Sequence, residues 1–133
     1  MKSVVVGSGG REHALAHVLG RDSDVTVTPG NPGIPNSTTK SPLNIDADLF
    51  VIGPEAPLVD GLADQLRAQG KTVFGPGVDG AQLEGSKAWM KDLLVEANVP
   101  TAKHGTFTNE DEAIAFLSDM PLPYVIKTDG LAA

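Results

Sequence analysis

Along the chain, aliphatic runs of strand length alternate with stretches whose apolar residues recur at helical spacing. Four runs predict strands, Ser3–Val6, Val25–Thr28, Leu49–Ile52 and Thr72–Phe74, each closed by glycine or proline. Between the first two, Leu15, Val18 and Leu19 fall on one face of a helix that starts near Gly10. Between the last two, Leu58, Leu62 and Leu66 share a helical face ahead of a stop at Gly70. Parallel strands need such helix-length returns, because a short turn cannot bring the next strand back in the same direction. The pattern predicts an α/β fold: an open, mainly parallel sheet with helices on both faces.

One crossover departs from the pattern. Residues Asn31 to Asp46 are rich in Pro, Ser, Thr and Asn and lack helical periodicity, which predicts a loop or a single turn. After the fourth strand and Gly75-Pro76-Gly77, a helix is predicted from Lys87 to Ala97, capped by Ser86, with Met90, Leu93, Leu94 and Ala97 facing inward. Pro100 closes a first domain, residues 1–100. Beyond it lie a predicted strand near Lys103–Phe107, a helix capped by Thr108 with Asp111 three residues on, and a strand Tyr124–Lys127. Residues 101–133 read as the beginning of a second domain. Thr128 to Ala133 supply no helix C-cap or closing element, so the chain is expected to be the front part of a longer protein.

Composition narrows the function. The 133 residues, 41% of them hydrophobic, suffice for a core burying roughly two-thirds of the unfolded chain's surface. Seventeen acidic against ten basic residues give a net charge of -7, so the clustered cationic excess that grips nucleic acid or anionic lipid is missing. Any phosphate must be bound locally. No apolar run approaches the length of a membrane span and no signal peptide is visible, which makes the cytoplasm the expected location. The absence of cysteine excludes a zinc–cysteine site and a thiol nucleophile.

The strongest chemical signal is Gly7-Ser8-Gly9-Gly10-Arg11-Glu12-His13, a glycine-rich turn between first strand and first helix. Amides at a helix N-terminus, unshielded by side chains at Gly9 and Gly10, form an anion site; the same glycines could serve only to make a tight turn. A dinucleotide fingerprint would place a third glycine at position 12 and an acid at the end of the second strand. Glu12 and Thr28-Pro29-Gly30 stand there instead, which counts against an NAD-dependent oxidoreductase. Arg11 opposes the helix dipole by about 0.3 to 1 kcal/mol, a penalty that a bound anion would reverse and a neighbouring carboxylate could also relieve. Lys87, directly after the Ser86 cap, poses the same question.

Gly53-Pro54-Glu55-Ala56-Pro57 follows the third strand at the carboxyl edge, where open α/β sheets bind ligands. Glu55 could accept hydrogen bonds from sugar hydroxyls or simply stabilise the following helix. Pro29-Gly30-Asn31 leaves the second strand at the same edge and reads equally as a turn. Lys127 ends its predicted strand either as a solubilising residue or as a phosphate ligand. His13 and His17 have helical spacing for a metal pair, but no carboxylate completes an H-E-x-x-H pattern, and no metal ligand is assigned.

Taken together, Gly7 to His13, Pro29-Gly30-Asn31, Gly53 to Leu58, Gly75-Pro76, Gln82 to Lys87 and Val125 to Ala133 resemble, in order and over nearly the whole chain, the N-terminal part of the glycinamide ribonucleotide synthetase (phosphoribosylamine–glycine ligase) family. The resemblance implies a Rossmann-like, pre-ATP-grasp sheet followed by the start of an ATP-grasp domain. It also implies a purine-synthesis ligase in which ATP, with Mg²⁺ or Mn²⁺, activates glycine as an acyl phosphate for attack by the amine of phosphoribosylamine. On that basis Gly9, Gly10, Arg11 and Glu12 would lie by the ribose phosphate, Asn31 and Glu55 near its sugar, and Lys87 and Lys127 near the ATP phosphates. The catalytic centre and metal ligands are expected beyond Ala133, so this chain alone should be inactive. Compared with the family, the stretch from Asn31 to Asp48 is short, leaving one sheet face less covered, and Thr128 replaces a commoner alanine. The alternative function is a stand-alone nucleotide or sugar-phosphate binding module.

Overall fold

A computed structural model describes residues 1–131, which pack as two units divided between Ala81 and Gln82. This division falls upstream of the Pro100 punctuation. The first unit is built on four parallel strands, β1 (Lys2–Gly7), β2 (Asp24–Pro29), β3 (Leu49–Ile52) and β4 (Thr72–Phe74), in the spatial order β2-β1-β3-β4. Ser3 to Gly7 are all buried, as a central strand covered on both faces demands. Successive side chains alternate between two cores. Val4, Val6, Phe50 and Ile52 face one side with Leu58, Ala63 and Leu66, while Val5, Val25 and Val27 face the other with Ile34.

Helix α1 (Gly10–Leu19) covers the second face through Leu15, Ala16 and Leu19. Val18, expected on that inner face, is 54% exposed: a 100° step per residue carries it past the edge of the stripe. The single helix expected to carry Leu58, Leu62 and Leu66 is two, α2 (Glu55–Val59) and α3 (Leu62–Ala68). They are divided at Gly61, whose φ of +82° is the left-handed conformation that ends a helix and favours glycine.

The short crossover has one 3₁₀ turn, Pro42–Asn44, in keeping with the expected loop or single turn. Leu43, Ile45 and Ala47 from this segment pack, half-buried, on the face that a crossover helix would otherwise cover. The segment is held by backbone pairing along the outer edge of β2, Val27 N–H to Asn36 O at 3.1 Å and Thr38 N–H to Val27 O at 2.9 Å. The buried Thr28 hydroxyl also donates to Lys40 O at 2.6 Å.

Helix α4 (Val78–Gly85) was not signalled by the sequence pattern. In the second unit, α5 (Lys87–Glu96) begins at its expected Ser86 cap, whose Oγ accepts from Trp89 N–H at 3.1 Å. Met90, Leu93 and Leu94 are half-buried and Ala97, just past the last turn, is exposed, so the expected inward face is only partly covered. Helix α6 (Glu110–Ser118) is capped by Asn109 rather than Thr108, because Asn109 Oδ1 accepts from Glu112 N–H at 3.2 Å. The strands expected at Lys103–Phe107 and Tyr124–Lys127 do not form. A strand exists through its partner, and no backbone among the described residues pairs with either segment; Val125 and Ile126 remain 77% and 75% exposed. Ala132 and Ala133, which end the last family-like motif, lie outside the described residues.

Candidate functional site

From β1 the chain crosses to β2 on one side, then returns past β1 to β3 on the other. The carboxyl ends of β1 and β3 therefore diverge at a topological switch point, where open parallel sheets leave a ligand crevice. Three loops meet there. Gly30 N–H donates to Gly7 O and Gly53 N–H donates to Val6 O, both at 3.0 Å. The Asn31 side-chain amide donates to Ser8 O at 2.6 Å, and its Oδ1 accepts from Gly33 N–H at 2.7 Å. Both ends of the Asn31 amide are thus spent on shaping the rim.

Glu12, in the first turn of α1, is 4% exposed. Its Oε2 accepts from Gly9 N–H at 2.7 Å and its Oε1 meets Arg11 Nε at 3.1 Å. Side chains at Gly7 or Gly53 would collide with the Glu12 carboxyl group, and a Cβ at Gly9 would come within 3.0 Å of Oε2. Gly10 differs: a Cβ there would meet nothing within 4 Å, so the start of α1 opens to solvent.

Arg11 lies beside this opening, with Nη1 at 3.2 Å from Glu55 Oε1. Hydrogen bonds to Glu12 first, and to Glu55 next, raise the Arg11 pKa. Glu55 is held below the usual carboxylate range, chiefly by its own backbone N–H and then by Arg11. Yet the Arg11 and Glu55 side chains are 55% and 42% exposed, where an ion pair gains little stability. The structure brings Gly9, Gly10, Arg11, Glu12, Asn31 and Glu55 to one sheet edge, and adds Gly7, Gly53 and Ser8, which sequence reasoning left unassigned. The signal for Gly7 and Gly53 was their position at the ends of neighbouring strands.

In the second unit, the first turn of α5 contacts the Lys127 loop. Lys87 Nζ donates to Gly130 O at 3.0 Å, while Lys127 is exposed three residues earlier. Asp129 accepts from Ser86 Oγ at 2.9 Å, Lys87 N–H at 2.7 Å and Ala88 N–H at 3.1 Å. These hydrogen bonds, that of Ala88 foremost, lower the Asp129 pKa. No local spacing signals a cap supplied from over forty residues away.

His13 and His17 line a cleft of about 400 Å³ with Arg21, Asp24 and Asn36, but no group of three or more metal-ligating side chains occurs among the described residues. No helix of the described residues is long and apolar enough to cross a membrane.

Fold and site together define an α/β protein whose candidate site lies at the switch point of a parallel sheet. Residues 1–84 match the phosphoribosylglycinamide synthetase N domain and residues 85–133 that enzyme's ATP-grasp (A) domain. The chain belongs to the phosphoribosylglycinamide synthetase family. Among its relatives, a phosphoribosylamine–glycine ligase of Brucella melitensis is 44% identical over all of this chain and 35% of its own length. One of Streptomyces coelicolor is 46% identical over all of this chain and 36% of its own. A crystal structure of phosphoribosylamine–glycine ligase from Thermotoga maritima superposes with a TM-score of 0.75 at 29% identity, covering 98% of this chain and 34% of that one. This chain thus spans about a third of the length of these relatives.

Proposed function

We propose that the chain is the N-terminal part of an ATP-dependent ligase joining glycine to 5-phosphoribosylamine to give glycinamide ribonucleotide, ADP and phosphate. The observation that carries this reading is the open start of α1, where Gly10 borders open space beside an Arg11 tethered by two carboxylates. Backbone amides, the helix dipole and a guanidinium converging on one point suit a phosphate dianion. Glu55 stands at the rim to accept hydrogen bonds from ribose hydroxyls, and Asn31 holds the rim in shape.

Lys87 and Lys127 would meet the ATP phosphates, offsetting charge as phosphoryl transfer requires. The Lys87 Nζ hydrogen bond to Gly130 O, three residues past Lys127, brings Lys87 to the Lys127 loop and supports this reading. The described residues do not fit the divalent metal that such a ligase uses, since no cluster of ligands is present among them. The rest of the ligase would supply the metal ligands and catalytic groups, and this chain alone would not turn over. A cytoplasmic location and small-molecule partners only, with no nucleic acid or membrane, complete the proposal; the acidic net charge of -7 supports the latter.

Calorimetric titration of the chain with glycinamide ribonucleotide, alongside ATP and NAD, tests the reading. Saturable binding of the ribonucleotide is expected. Binding of NAD in its place would overturn the ligase assignment in favour of a dinucleotide enzyme.

A further inference from the structure

Glu12 poses a physical problem that its place beside a phosphate site makes sharper. A carboxylate at 4% exposure must be compensated, since an unpaired buried charge is costly. A phosphate dianion approaching it directly would be repelled. Its compensation comes from Gly9 N–H at 2.7 Å and Arg11 Nε at 3.1 Å, both belonging to the loop that forms the anion site. Room for it is made on three sides by Gly7, Gly9 and Gly53.

From this geometry we infer that Glu12 is a positioning residue that acts on the ligand only through Arg11. The inference rests on the ribose-phosphate reading of the site. Nε of Arg11 is fixed by Glu12 and Nη1 by Glu55, which leaves Nη2 without a hydrogen bond among the described residues and available to an incoming oxyanion. A guanidinium tethered at two of its nitrogens loses little further freedom when it binds, whereas a loose arginine loses most of its rotamer entropy at that moment. The buried carboxylate thus prepares a cation for an anion that it never touches.

The test is a double-mutant cycle with ribose 5-phosphate as the calorimetric probe, using Glu12→Gln, Arg11→Ala and the two combined. Glutamine keeps the volume and the acceptor for Gly9 N–H but removes the charge that holds Nε. Glu12→Gln alone is expected to weaken binding by roughly tenfold, and to add no further loss in the Arg11→Ala background. Equal losses in both backgrounds would mean that Glu12 acts independently of Arg11, and would overturn the inference.

A ligand-free readout separates this inference from the function on which it rests. The Arg11 Nε–H proton is expected to exchange slowly in the wild-type chain and much faster in Glu12→Gln, as seen by ¹⁵N-edited NMR. Unchanged exchange would sink the positioning role. A wild-type chain that shows the protected proton but binds no ribose 5-phosphate would sink the phosphate-site reading and leave the tether established.

Discussion

The position of Arg11 in the first turn of α1 is unfavourable on its own terms, because a cation there opposes the helix dipole. The exposed ion pair to Glu55 recovers little of that cost, and the pair to Glu12 serves to compensate that buried carboxylate; under the proposed function a bound anion is the further partner of the cation. Arg11→Ala is accordingly expected to weaken calorimetric binding of glycinamide ribonucleotide by roughly 1 to 3 kcal/mol, the worth of a charge-assisted hydrogen bond. An unchanged affinity would remove Arg11 from the site. Ser3 makes the opposite case. Its hydroxyl is buried in β1 without a hydrogen-bond partner among the described residues, and a buried unsatisfied polar group costs about 1 to 3 kcal/mol. Ser3→Ala should therefore raise the denaturant midpoint by an amount equivalent to about 1 kcal/mol, after allowing for lost packing. A lowered midpoint would show that the hydroxyl packs better than it hydrates.

At the level of elements, the strands were the most legible part of the sequence. Leu49–Ile52 and Thr72–Phe74 form at their expected limits, and the first two strands extend one residue further at each end. Buried parallel strands announce themselves as short aliphatic runs closed by Gly or Pro, and this information is local. What stayed hidden depends on distant partners. The break at Gly61 was masked by the continuous Leu58, Leu62 and Leu66 spacing, and the capping of α5 by Asp129 joins residues over forty positions apart. For the site, the glycine loop, Arg11 and Glu55 were legible as residues, but the burial of Glu12 against Gly53 needed the sheet order.

The Asp129 cap also has a pH signature. Its pKa is lowered in the folded chain, so its contribution is fully present above the ordinary value of about 4 and is lost as pH falls through the lower folded value. Protection of the Lys87 and Ala88 amides against hydrogen exchange should therefore fall selectively below about pH 4. Asp129→Ala should abolish that pH dependence. Amides whose pH response is the same in Asp129→Ala as in the wild type would rule out the cap as its source.

For the molecule as a whole, the two units are stabilised very differently. The first has a double-sided sheet with Val5, Val27, Phe50, Ala63 and Leu66 all at 0% exposure. In the second, neither α5 nor α6 has a buried residue, and Leu122, Val125 and Ile126 are at least three-quarters exposed. Stability follows buried apolar area, and opening costs little where amides are unpaired and side chains lie in water. Exchange monitored by mass spectrometry should therefore find β1 and β3 protected to near the global unfolding limit and residues 121–131 exchanging at close to the unfolded rate. The relatives are about three times longer than this chain, and under the proposed function such further length would give a physical reason for the contrast. An apolar run such as Tyr124-Val125-Ile126 has the composition of a strand that gains its stability only by pairing. Supplying the remaining two-thirds of a ligase as a separate polypeptide should then slow exchange at Tyr124–Lys127 while leaving β1 unchanged. Protection of that segment equal to that of β1 in the chain alone would contradict both the exposed state and this account of it.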